Sequence, residues 1–254
     1  MIIDAHAHFD LNSIETVGSV KNFQQNGVEY AVGFVMDLIS EREPGKPEHW
    51  TRLNKEIAEV SRRTDGRVIP FCTVHPGDKD FALAEIRRSV LQDGIRGIKL
   101  QPYSGLYTTC TEDMANVSKL ADELKVPIFF HCCFQPYVTP AQIAFLAKEF
   151  PKTMFILGHS GWNNEWPVAM VVAKRFENII LCTSGLNFGG IGELVRTCDT
   201  DRIIFGSDFP CGGAHSELYE INKIREHHFP QAVEKKILGD NIARLLNIGG
   251  AVHV

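Results

Sequence analysis

Apolar residues in this chain come in short, nearly unbroken runs set between longer stretches of helical period. The runs Ile2–His6, Tyr30–Val35, Val68–Val74, Ile95–Leu100, Pro127–His131, Thr153–His159, Ile179–Thr183 and Arg202–Ser207 predict eight strands. Most are apolar throughout, as in VPIFF, MFIL, NIIL and RIIF, which suits parallel strands covered on both faces, because a half-solvated strand would alternate. Between them, Ile14–Asn26, Glu48–Thr64, Lys79–Gln92, Glu112–Leu124, Pro140–Phe150, Glu165–Phe176, Ile191–Cys198 and His215–His228 read as helices. In the third of these, Phe81, Ala84, Ile86 and Leu91 form the expected buried stripe and Glu85, Arg87 and Arg88 the wet face. The stretch DLISEREPGKPEH after the second strand reads as one long loop.

Eight strand–helix alternations predict an α/β fold, a closed (β/α)8 TIM barrel in one domain spanning residues 1–254, with VEKKILGDNIARLLNI as a closing C-terminal helix. A doubly wound open sheet is the competing architecture. Such a barrel changes how the polar residues are read. His6 and His8 end the first predicted strand, His75 follows the third, Lys99 ends the fourth, His131 the fifth and His159 the sixth, while Asp208 follows the eighth. The carboxyl ends of barrel strands meet at one mouth, so residues two hundred positions apart can share a site.

His6 and His8 are two residues apart on a strand and therefore point the same way. Neutral imidazoles suit zinc and other borderline metals, and a carboxylate such as Asp208 completes the charge. His131 emerges from the apolar run PIFFHCC, where an imidazole needs a partner, either a metal or a backbone group. His159, between glycines in LGHSG, can ligate or act beside the metal as an acid, base or carbonyl polariser; the second role is favoured. Lys99 has three roles open to it: contact with a substrate carboxylate, a carbamylated bridge between two metals, or pairing with an acid. His75, Gln101, Tyr103, Phe134, Trp162 and Asn163 follow strands at the same rim and are candidate substrate contacts.

Composition narrows the partners. A net charge of −5 gives no reason to expect nucleic acid or an acidic membrane, and a small-molecule substrate fits better. No stretch is apolar enough for a membrane span, and MII leads straight into the histidines without a signal-peptide pattern, so a cytoplasmic location is expected. Seven cysteines without a CxxC pair read as reduced thiols, with Cys132, Cys133 and Cys211 set apart by their neighbours. Subunit number is left open, a homo-oligomer included.

DAHAHF, GIKLQPY, FFHCC, ILGHSG, RIIFGSDFP and ILGDNIARLL stand in an order that resembles the amidohydrolase superfamily, and most closely its amidohydrolase-2 branch of semialdehyde and resorcylate decarboxylases and lactone hydrolases. The resemblance implies a (β/α)8 barrel with one divalent metal, zinc first and manganese or iron as alternatives, on His6, His8, His131 and Asp208. His159 would be the catalytic histidine beside it. The leading expectation is hydrolysis of a small ester, lactone or amide, with Asp208 taking a proton from a metal-activated water. Non-oxidative decarboxylation of an aromatic or unsaturated acid is the first alternative. A non-catalytic metal- or ligand-binding barrel is the second.

Overall fold

A computed structural model describes residues 1–11, 19–35, 47–133, 137–213 and 215–250, with the backbone only at 19, 47, 163 and 250. Its eight strands are β1 (Ile3–Phe9), β2 (Tyr30–Val35), β3 (Val68–Thr73), β4 (Gly97–Leu100), β5 (Ile128–His131), β6 (Phe155–Gly158), β7 (Ile179–Cys182) and β8 (Ile203–Ile204). They pair in parallel, in sequence order. Beyond β8 the chain closes the ring on β1: Ala5 N–H donates to Phe205 O at 2.9 Å, Asp208 N–H to His6 O at 2.7 Å and His8 N–H to Phe209 O at 2.6 Å. The TIM-barrel expectation therefore holds. The eighth predicted strand shrinks to two ladder residues, and the Asp208 backbone beyond it is left-handed, with φ of 56°.

The helices are α1 (Ser19–Gln25), α2 (Pro47–Arg63), α3 (Asp80–Gln92), α4 (Glu112–Leu124), α5 (Pro140–Glu149), α6 (Trp162–Arg175), α7 (Phe188–Thr197), α8 (Ser216–Arg225), α9 (Gln231–Lys235) and α10 (Asn241–Leu246), with a π-turn over Lys236–Asp240 joining the last two. Two begin three residues earlier than the pattern predicts. The Asn187 side chain accepts from Gly190 N–H at 2.8 Å and so starts α7 ahead of Ile191, and α6 starts at Trp162, directly after the left-handed Gly161. The predicted helix over 14–26 is described only from Ser19, and most of the predicted loop over 37–49 lies outside the described residues.

The α3 stripe is rotated from its predicted phase. Ala84 and Leu91 are exposed, while Ala82, Glu85, Ile86 and Ser89 face inward. Glu85 is buried because polar partners meet it there: it accepts from the buried Asn54 Nδ2 at 2.9 Å and from the half-buried Arg88 Nη2 at 2.7 Å and Thr51 Oγ1 at 3.0 Å.

Two apolar shells hold the barrel. Alternate strand positions, among them Ile3, Ala5, Val32, Phe34, Ile69, Phe71, Phe129, Ile156 and Ile180, fill the interior, and Ile242 and Leu246 of α10 pack against that set. Their neighbours, including Phe9, Val35, Val68, Cys72, Phe130 and Leu157, pack outward with the helices. In β1 the register against β2 shifts between Asp4 and Ala7. Ile3 and Ala5 belong to the interior shell and Ala7 and Phe9 to the outer one. That shift turns His6 and His8 inward, where unbroken alternation would aim them at the helices.

Candidate metal centre

His6 is fully buried, its ring edge-on to Phe129 and Phe34 at 4.8 and 5.4 Å between centroids. Its Nδ1 meets Ser184 Oγ at 2.8 Å, and its Nε2 lies 3.0 Å from Asp208 Oδ1 and 3.1 Å from Lys99 Nζ. His8 Nε2 approaches the same Asp208 oxygen at 3.4 Å. The backbone of β1 is fixed beneath them by Asp4, whose buried carboxylate accepts from His6 N–H and Ser207 N–H at 2.9 Å each and from the Ser207 hydroxyl.

His159 Nδ1 faces the carbonyl of Ser184 at 3.0 Å. A carbonyl only accepts, so Nδ1 carries the proton and, in the neutral ring, Nε2 offers a lone pair. That Nε2 lies 3.3 Å from His131 Nδ1, and Trp162 stacks on the His159 ring at 5.8 Å between centroids. His131 Nε2 in turn meets Cys133 Sγ at 2.7 Å.

Burial governs the protonation of this group. It drives His6 and His131 well below the ordinary histidine range, helped at both by the Lys99 charge, and lowers His159 to about 4. Burial also opposes ionisation of Asp208, but its contacts with His6 and His8 prevail and hold the carboxyl well below its usual range. The site is thus a carboxylate among neutral imidazoles. Ser184 Oγ is able to accept from His6 Nδ1, and in that tautomer the Nε2 lone pair faces the Asp208 oxygen, an arrangement that a cation between them would stabilise.

Donor atoms come within 4.8 Å of one another in three overlapping groups: His6, His159 and Asp208; His8, Asp208 and Cys211; and His131, Cys133 and His159. His6, His8 and Asp208, three of the four predicted ligands, are thus linked through Asp208, and His131 joins them by way of His159. The backbone is strained at the same place. His159, Ser160, Trp162 and Asp208 have φ of 64°, 48°, 49° and 56°, conformations costing about 1–3 kcal/mol each that cluster at functional sites. The flanking glycines of LGHSG divide two tasks: Gly161 takes a left-handed φ of 82°, while at Gly158 a Cβ would come within 2.4 Å of the Phe129 ring and 2.6 Å of Phe130 O.

Of the predicted substrate contacts, Lys99 lies in the cluster and Trp162 borders it through His159. His75 has both ring nitrogens on backbone, Nε2 at 2.9 Å from Gly105 O and Nδ1 accepting from Gly77 N–H at 3.0 Å, so it ties loops together. Tyr103 is exposed and meets Tyr137 edge-on, and Gln101 is half-buried after β4. Phe134 and the Asn163 side chain lie outside the described residues. Sequence reading missed Ser184, a serine among many, and left Cys133 and Cys211 without roles.

The model of the Amidohydro_2 family, amidohydrolase, matches residues 3–248. The chain belongs to the amidohydrolase-2 family. Solved structures share the amidohydrolase barrel along nearly the whole chain. A candidate amidohydrolase from Staphylococcus aureus is 18% identical with a TM-score of 0.79, covering 97% of this chain and 99% of that one. A 2,6-dihydroxybenzoate decarboxylase from Rhizobium is 18% identical with a TM-score of 0.77, covering 97% and 98%. A dihydroxybenzoic acid decarboxylase from a Polaromonas species, with bound manganese and the inhibitor 2-nitroresorcinol, is 17% identical with a TM-score of 0.76, covering 97% and 96%. No curated protein matches this amidohydrolase-family chain in sequence.

Proposed function

We propose that the chain is a divalent-metal-dependent, non-oxidative decarboxylase of a small aromatic or unsaturated carboxylic acid. Lys99 carries the reading. It is 2% exposed, its Nζ lies 4.4 and 4.2 Å over the Phe34 and Phe129 rings, and it reaches His6 Nε2 at 3.1 Å. A buried cation beside the donor cluster suits a substrate that already carries a carboxylate charge when it binds. Decarboxylases of benzoate-type acids recur among proteins of the same fold, which supports placing decarboxylation ahead of hydrolysis.

The donor set fits a divalent ion, which His6, His8, His131 and Asp208 would hold. When bound, the ion supplies Lewis acidity toward substrate oxygens. Lys99 pairs with a carboxylate oxygen of the substrate and orients the bond to be broken. His159, its Nδ1 proton held by Ser184 O and its Nε2 unprotonated in the resting site, takes a solvent proton at Nε2 and passes it to the ring carbon. As the bond to the carboxylate breaks, the bonding pair stays on that carbon, the proton joins it and carbon dioxide leaves.

Hydrolysis remains the second reading because the ionised Asp208 beside His6 and His8 is also placed to take a proton from water. Incubating the metal-loaded protein with a panel of hydroxybenzoates, unsaturated acids, lactones and amides separates the two. We expect carbon dioxide release from an acid, with turnover lowered at least about 100-fold in Asp208→Asn. Hydrolysis without carbon dioxide would overturn the assignment, and a chain that binds metal but turns over nothing would point to a binding barrel.

A further inference from the structure

We propose that Cys133 is a metal ligand, giving the centre a sulfur donor beside nitrogen and oxygen and making it select zinc or cobalt over manganese. This rests on the metal-dependent reading above and extends it to the identity of the ion. His131 ends β5 and Cys133 follows two positions later, repeating the spacing of His6 and His8. The intervening Cys132 is fully buried in the outer shell, while Cys133 is half-buried and its Sγ reaches His131 Nε2 at 2.7 Å.

Distances favour shared coordination. Two donors bonded to one ion at about 2.0–2.3 Å stand at most roughly 4.6 Å apart, and roughly 3.3–3.8 Å apart in a tetrahedron. Cys133, His131 and His159 place donors within 4.8 Å of one another, so admitting an ion requires the ring–thiol contact to open by about 1 Å. Binding converts the thiol to a metal thiolate and releases its proton to solvent. Thiolate is a soft ligand that suits zinc and cobalt, whereas manganese is served by carboxylate and water oxygens. Cys211, exposed and grouped with His8 and Asp208, is the competing thiol.

The full chain stripped of metal and reloaded with cobalt(II) tests the proposal. Visible ligand-field absorption reports binding, and near-ultraviolet sulfur-to-cobalt charge transfer reports a thiolate ligand. We expect both in the wild-type chain, loss of only the charge-transfer band in Cys133→Ser, and both retained in Cys211→Ser. With zinc and manganese supplied together, Cys133→Ser should shift loading toward manganese. X-ray absorption of the zinc-loaded wild-type chain should show a sulfur shell at about 2.3 Å, a readout that needs no variant to fold. Bound cobalt without charge transfer, a band that survives Cys133→Ser, or a zinc shell of nitrogen and oxygen alone would each overturn the proposal while leaving the metal-dependent reading intact. Binding of manganese but of neither cobalt nor zinc would overturn the proposal alone, and failure to bind any of the three would overturn both.

Discussion

Ser184 acts on two histidines at once. Its hydroxyl meets His6 Nδ1 at 2.8 Å and its carbonyl accepts a hydrogen bond from His159 Nδ1 at 3.0 Å, so one residue after β7 holds both rings by their Nδ1 atoms. Ser184→Ala removes the first contact and leaves the second. We expect it to weaken metal affinity roughly 10- to 100-fold, as loss of a ligand's outer partner does, measured by competition with a chelator; unchanged affinity would separate Ser184 from the site. At this scale the sequence was legible where residue type is distinctive: histidines and an aspartate at predicted strand ends converge as expected. Ser184 was not legible, because its role comes from which ring atoms it touches, and nothing in TSGLN carries that information. His75 looked like its neighbours in sequence, yet loop backbone occupies both of its nitrogens.

Elements reveal a different limit. Helix α3 has the right length and the wrong predicted face, since hydropathy assigned Glu85 to water while Asn54, Thr51 and Arg88 provide it with hydrogen-bond partners inside the fold. Strand β1 was legible as a strand, but the facing of His6 and His8 depends on a register shift that alternation does not encode. Helix α8 contributes a buried acid behind the Ser184 loop. Glu220 accepts from Gly185 N–H and pairs with Lys223 Nζ at 2.7 Å, and Lys223 also donates to Leu186 O at 2.7 Å. Burial raises the Glu220 carboxyl from 4.5 to about 7, with the Asp208 charge adding and Lys223 and Gly185 opposing. The folded chain therefore holds a proton that the unfolded chain releases, so the stability this group contributes is full below about pH 4.5 and is lost as pH rises through about 7. Denaturant unfolding at about pH 5 and about pH 8 should show a smaller loss in Glu220→Gln than in the wild type; equal losses would assign the pH dependence elsewhere.

For the whole molecule, eight apolar runs were enough to read a parallel barrel, and the family match over residues 3–248 agrees with it. Among the described residues no helix is long and apolar enough to cross a membrane. The eighth strand was overread because the apolar run continues into Phe205 and Gly206 after the ladder has ended at Ile204. What continues past it is the seam of the ring, where β1 meets the segment after β8 through His6 O, His8 N, Asp208 N and Phe209 O. These are the backbone atoms of the residues proposed as ligands and of a neighbour. An ion on His6, His8 and Asp208 would thus lie across the seam as a clasp, coupling catalytic loading to closure of the cylinder. Amide hydrogen exchange at His8 and Asp208 should slow on metal addition while exchange in β3 and β4, which carry none of the proposed ligands, stays unchanged; uniform protection would mean that the ion stabilises the fold without fastening its two ends.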